Sequence, residues 1–279
     1  MNHSYFRHVF FWLALTTCFF FPCRSLAESC FSIHFLDVGQ GDAAIILCDD
    51  GTMMIDGGNP GNSSFIYSYL KNTLQIDHID YMIATHPHED HIGGLSGALN
   101  ACTVGKIYSP ILEYDSRAFT ALKKYTEEQG LHLTLPFSGE AFSLGSAEVQ
   151  ILGPVKNYNS MNDMSIIVRI VYGNTSFLFT GDAEWDAEHD LVDADIDLSA
   201  TLLKVGHHGS DTSSSYVFLR EVMPEYAVIS VGIDNGYGHP SETVISRLHD
   251  ADSVIYRTDQ NGTIICNSDG QKLVFTKER

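Results

Sequence analysis

Residues 84–94 read ATHPHEDHIGG. His86, His88 and His91 crowd there with Glu89 and Asp90, between an apolar run and a glycine pair. Imidazole is a common zinc ligand, and histidines two apart at a strand end can turn toward one ion. A neighbouring carboxylate can orient the rings or serve a second ion. One loop cannot complete two coordination spheres, so other loops must supply the rest. The candidates are Asp56 in MIDGG, Asp182 in FTGDAE, His207 and His208 in LKVGHHGS, and His239 in NGYGHP. Each follows an apolar run, where a strand hands its chain to a surface loop, and such loops gather active sites.

The elements that must position these residues follow from periodicity. CFSIHFLDV and AAIILC read as a hairpin about the glycines of VGQGD, and TMMIDGG as a further strand. NSSFIYSYLKNTLQ has helical spacing, and IDYMIAT is a buried strand that delivers the histidine loop. GGLSGALNA is a helix, VGKIYSP a strand and DSRAFTALKKYTEEQ a helix. SAEVQILG, SIIVRIVYG and TSFLFTGD form a meander, followed by the helical EWDAEHDLVD. ATLLKVGHHGS and YAVISVG are strands alternating with the helices SSSYVFLREVM and SETVISRLHD, and SVIYRT, GTIICN and QKLVFT close the chain as strands. The pattern predicts one α/β domain (28–279) of two similar halves, each a sheet with helices.

The chain has 279 residues, with 16 basic against 35 acidic groups and a net charge of −19. An acidic surface repels polyanions, which argues against avid non-specific nucleic-acid binding. Lys123, Lys124, Lys204 and Arg247 are too scattered to form a basic footprint. Arg7, the apolar stretch 9–21 and small residues at Ser25 and Ala27 read as a cleavable signal peptide over 1–27, which predicts a secreted or periplasmic protein with no stable membrane span. Cys30 and Cys48 stand at the outer ends of the first hairpin, which predicts a disulfide between them in an oxidising compartment. Cys102 and Cys266 read as separate thiols, and the absence of a CxxC pattern argues against a cysteine zinc site.

THPHEDHIGG resembles the H-x-H-x-D-H motif of metallo-β-lactamase-fold hydrolases. FLDVGQGDA, MIDGG, LFTGD, LKVGHHGS and NGYGHP are together similar to the branch containing the hydrolase domain of the competence protein ComEC, and to phosphorylcholine esterase. The likeness runs from Phe31 to about Phe275. It implies a four-layer αββα sandwich with two divalent metal ions at one edge. Zinc suits the N/O ligand set best, with manganese or iron as alternatives. His86 and His88 would hold the first ion, Asp90 and His91 the second, and Asp182 would bridge both. His207 would complete the second sphere, with His208 or His239 as rivals. Asp56 would hold the histidine loop without being a ligand.

More common members of the fold place a histidine before the Asp182-type strand. Here that region reads NSMNDMSIIV, as in the ComEC-like branch, so Ser160, Asn162 and Ser165 are candidates to line the pocket. The resemblance implies hydrolysis by a metal-bound hydroxide, with Asp90, His208 and His239 in catalytic roles. A small or cell-envelope phosphodiester is the favoured substrate. A nuclease, or a hydrolase of carboxyl esters, lactones or β-lactams, is the alternative, and a non-enzymatic binder is the least favoured reading.

Overall fold

The computed structural model describes residues 31–279. The expected signal segment, 1–27, and Cys30 lie outside the described residues. The chain first lays down β1 (Phe31–Phe35), β2 (Ala44–Cys48), β3 (Gly51–Ile55), β4 (His78–Ile83), β5 (Thr103–Tyr108) and the short β6 (Leu133–Thr134). A second sheet then forms from β7 (Ala141–Leu144), β8 (Ala147–Gly153), β9 (Ile167–Tyr172), β10 (Thr175–Phe179), β11 (Leu202–Lys204), β12 (Tyr226–Ile229) and β13 (Val254–Arg257). The last hairpin, β14 (Ile264–Ser268) and β15 (Leu273–Lys277), does not extend that second sheet. It returns to the first, where β14 pairs antiparallel with β1. The closing strands of the second half therefore complete the sheet of the first.

Two sheets face each other across one apolar layer. Phe31 stacks on Tyr172 and Phe177 with ring centroids 4.9 and 4.7 Å apart, and Phe35 on Phe179 at 5.8 Å. Ile33, Ile46, Met53, Val149, Ile151 and Val168 fill the same layer. Alternate residues of each strand point outward, and helices cover them. α1 (Ser63–Ser68), α2 (Glu89–Ile92), α3 (Leu95–Ala101) and α4 (Arg117–Glu128) precede the second sheet, and α3 and α4 pack on the first through Leu95, Leu99, Phe119 and Leu122. α5 (Trp185–Asp193), α6 (Tyr216–Val222) and α7 (Glu242–Asp250) pack on the second through Leu191, Phe218, Leu219 and Leu248. The order is αββα, as the sequence predicts. The segment expected as one helix around Phe65 is α1 running into a π-turn over Tyr69–Leu74. The weakly patterned strands β6 and β7, and the short α2, are elements that periodicity does not reveal.

The site is set by strand direction. β3, β4 and β5 run parallel in one sheet, and β10, β11 and β12 run parallel in the other. The C-terminal ends of both sets meet along one edge. Asp56 follows β3, the histidine loop follows β4, Asp182 follows β10, and His207 and His208 follow β11. Ile166 N–H donates to the Thr85 carbonyl at 2.9 Å and ties the two sheets together at that edge.

Cys48, Cys102 and Cys266 are buried free thiols. Cys48 lies 3.6 Å from Ser146 Oγ and pairs in register with Phe31; its expected disulfide partner, Cys30, lies outside the described residues.

Glu188 on α5 is 1% exposed and accepts hydrogen bonds from the backbone N–H groups of Ser214 and, at 2.9 Å, Ser215, at the start of α6. Burial pushes its carboxyl up to about 7, against the pull of those N–H groups and the Arg247 guanidinium. The native state thus binds this proton more tightly than the unfolded chain does. Its contribution to stability is fully present below the ordinary value of 4.5 and is lost as pH rises through about 7. Glu188→Ala is expected to lower unfolding free energy by roughly 2–3 kcal/mol, since two buried donors lose their acceptor. In urea unfolding, the stability of Glu188→Gln relative to wild type should improve between pH 4.5 and 7. A difference that does not change with pH would contradict this.

Candidate metal centre

Asp182 follows Gly181, whose φ of +54° and closeness to Ser165 Oγ (2.8 Å from an added Cβ) require glycine. Asp182 N–H donates to Ser165 Oγ at 3.0 Å, which aims the carboxylate into the edge. Its two oxygens face different rings. Oδ1 lies 3.2 Å from His91 Nε2 and 3.7 Å from His208 Nε2. Oδ2 lies 3.6 Å from His86 Nε2 and 3.7 Å from His207 Nε2.

Two ligand clusters share this residue. His86, His88 and Asp182 form one, with His86 Nε2 3.0 Å from His88 Nδ1. Asp90, His91 and His208 form the other, with Asp90 Oδ2 3.3 Å from His208 Nε2. His208 lies with Asp90 and His91 in this cluster; the sequence reading set His207 there, with His208 as a rival. Both residues are left-handed, at φ +53° and +47°, so their consecutive side chains diverge. His208 turns inward and is 2% exposed, while His207 faces outward. His207 Nδ1 lies 3.2 Å from Glu184 Oε1, and its ring is 5.6 Å from that of His239. His208 is enclosed, and His207 and His239 occupy the more accessible side.

Each ring of the second cluster is held from behind. His91 Nδ1 donates to Asp56 Oδ2 at 2.8 Å, and Asp56 also accepts from Thr85 N–H (2.8 Å) and Thr85 Oγ1 (2.6 Å). Asp56 thus stands behind His91 and at the start of the histidine loop. His208 Nδ1 donates to the Ser230 carbonyl at 3.0 Å. In the deprotonated ring each Nε2 is thereby the atom free to act as a ligand. Ser165 lies 3.4 Å from His86 Nδ1 and is fully buried. Of the other two pocket candidates, Asn162 caps the turn into Ser165 through its carbonyl, and Ser160 accepts from Met164 N–H. Thr85, Glu184 and Asp42 are neighbours of the site that sequence spacing alone did not single out, although all three lie inside quoted motifs.

The residues fit a cation. His91 Nε2, His208 Nε2 and Asp182 Oδ1 are buried and have no hydrogen-bond partner. Three such atoms around one point are costly unless a positive charge sits among them. Burial and the adjacent His91 push the His86 imidazole well below 6.5, so it is neutral. Burial opposes charge on His208, yet Asp182 and Asp42 raise it to about 9. Burial likewise opposes charge on His91, but Asp182 and Asp56 hold it well above 6.5. Burial raises Asp90, but His208 and His91 outweigh that and bring it down to about 2. Without a metal ion, protons hold the carboxylates together.

A family model described as the metallo-β-lactamase superfamily matches residues 36–233. The chain belongs to this superfamily. It is 28% identical to ComE operon protein 3 of Bacillus subtilis (strain 168) over 264 residues, covering 88% of this chain and 34% of that protein. It is 28% identical to competence protein ComA of Neisseria gonorrhoeae, covering 86% and 33%. It is 29% identical to recombination protein 2 of Haemophilus influenzae, covering 92% and 31%. The chain spans about a third of the length of these relatives. Among solved structures, the metallo-β-lactamase-fold protein YhfI of Bacillus subtilis has a TM-score of 0.56 at 13% identity, covering 85% of this chain and all (100%) of that one. CmlA of Streptomyces venezuelae, a diiron β-hydroxylase, has a TM-score of 0.54 at 17% identity, covering 82% and 52%. These likenesses show the fold. Among the described residues no helix is long and apolar enough to cross a membrane.

Metal ions bind deprotonated ligands, so zinc must displace the proton on His208. Apparent zinc affinity should rise with pH up to about 9. Calorimetry at pH 7 in buffers of different ionisation enthalpy should show proton release on binding. Zinc binding with no proton release would contradict the assignment.

Proposed function

We propose that the chain is a secreted, metal-dependent phosphodiesterase. The observation that carries this reading is one carboxylate, Asp182, shared between a richer cluster (Asp90, His91, His208) and a poorer one (His86, His88). Ser165 stands beside His86, in the region where common members of the fold carry another histidine, so the first ion would have fewer protein ligands. Two divalent ions, when bound, lower the pKa of water and polarise a phosphoryl oxygen for in-line displacement. The donor set suits zinc; the diiron neighbour keeps iron as the alternative.

The chain's own residues bind and orient. Asp56 and the Ser230 carbonyl fix the rings of His91 and His208. His207 and His239 stand over the open side, with Glu184 orienting His207 and Thr212 Oγ1 donating to Glu184 at 2.7 Å. From there the two imidazoles can donate to developing charge on the substrate or protonate the leaving oxygen. This role replaces the one first given to His208.

The names of the relatives point to nucleic acid as a rival substrate. The net charge of −19 opposes a polyanion, and Lys204, one of the scattered cations, is buried rather than displayed. A small or cell-envelope diester fits better. The apolar stretch 9–21 with Ala27 beyond it supports export.

The test is turnover of bis(p-nitrophenyl) phosphate beside single-stranded DNA, a carboxyl ester and a lactam reporter. Diester hydrolysis is expected, falling more than about 100-fold in Asp182→Ala and His88→Ala, since even groups behind a ligand cost 10–100-fold. His207→Ala should lower kcat by about 100-fold with metal content unchanged. Turnover of the ester or lactam alone would replace the phosphodiesterase reading, and preferential turnover of DNA would replace the small diester.

A further inference from the structure

We propose that Asp42 and Lys204 form a buried ion pair that positions Asp90 and His208 for the second metal ion, which makes Asp42 a positioning residue. This rests on the metal-centre reading above. Lys204 Nζ lies 2.7 Å from Asp42 Oδ2, and both residues are buried, at 3% and 5% exposure. Nζ also donates to the Val205 carbonyl at 2.9 Å. Leu202, two residues earlier on β11, belongs to the layer between the sheets, so Lys204 points into the same gap. Asp42 enters that gap from the loop between β1 and β2 in the other sheet.

A buried ion pair is a weak stabiliser, because removing two charges from water offsets most of their attraction. Its geometry supplies another reason for its presence. Asp42 Oδ1 lies 3.2 Å from His208 Nδ1 and has no hydrogen-bond partner. The Ser230 carbonyl already satisfies that Nδ1–H, so Asp42 is not needed to complete a hydrogen bond. Asp42 also reaches the other side of the cluster, where its N–H donates to the Asp90 carbonyl at 3.1 Å. Gly41 makes this approach feasible: its φ is +149°, and an added Cβ would stand 2.4 Å from the Asp90 carbonyl oxygen. One residue thus touches two members of the second cluster, one from each half of the fold.

Lys204 has a complementary task. Ligand atoms of Asp42, Asp182 and His208 lie within 4.8 Å of one another, so an unrestrained Asp42 carboxylate could itself take up the ion. The ammonium holds it back, and His208 keeps its Nε2 for the ligand role. The pair is therefore a spacer as well as a clamp.

The test replaces the pair with neutral side chains in the full chain. Asp42→Val with Lys204→Met removes both charges and keeps apolar packing; Asp42→Asn with Lys204→Met retains more of the shape if the first fails to fold. Zinc affinity is measured by competition with a chromophoric chelator, and stability by thermal melting. Native-like melting is expected with the second zinc bound about 10–100-fold more weakly and the first unchanged. Native-like melting with full affinity for both ions would make the pair merely structural and overturn the proposal. A wild-type chain that binds no second zinc would sink the metal-centre reading itself, a separate failure visible before any variant is made.

Discussion

Asp182 is 2% exposed, and its two oxygens look at different pairs of imidazoles. That geometry demands His91 and His208 on one side and His86 and His207 on the other, brought by loops from two sheets. The sandwich delivers it because parallel strands in both sheets end at the same edge. Ser165 and Gly181 aim the carboxylate, and the aromatic layer of Phe31, Phe177 and Tyr172 keeps the two sheets at fixed spacing. A shift of either sheet would separate the clusters before it exposed the core.

The electrostatics are dominated by buried acids set around the rings. Asp56, Asp90 and Asp182 surround His91 and His208, and burial alone would forbid so many carboxylates. The histidines answer with raised affinity for protons, while His86, farther from acids, is neutral. The site consequently favours positive charge, and its rings are oriented by the groups behind them. The asymmetry between clusters follows from the same arrangement. The second is enclosed and supported on every ring, whereas the first opens toward His207 and His239.

Much of this was legible in one dimension. The H-x-H-x-D-H spacing at the end of an apolar run and the acids and histidines at other strand ends picked out side chains that the fold brings to one edge. Asp56, at the turn after a buried strand, is among them. The choice between His207 and His208 was not legible, since adjacent histidines look equivalent until two left-handed backbone conformations send them in different directions. Asp42, beside the hairpin glycines, carries no spacing signal. Lys204 reads only as one of several scattered cations, although it follows two buried leucines on a three-residue strand.

The sequence by itself determined the class of fold, the ligand types and the loops that carry them. Those rest on local quantities, namely hydrophobic period, turn residues and ligand spacing. Only the tertiary structure decided which ring meets which oxygen, which cluster is closed, and which acid stands behind which histidine. It also decided that the last hairpin completes the first sheet. These depend on contacts between residues such as Asp42 and Lys204, or Thr85 and Ile166, far apart in the chain and joined only when the two sheets pack.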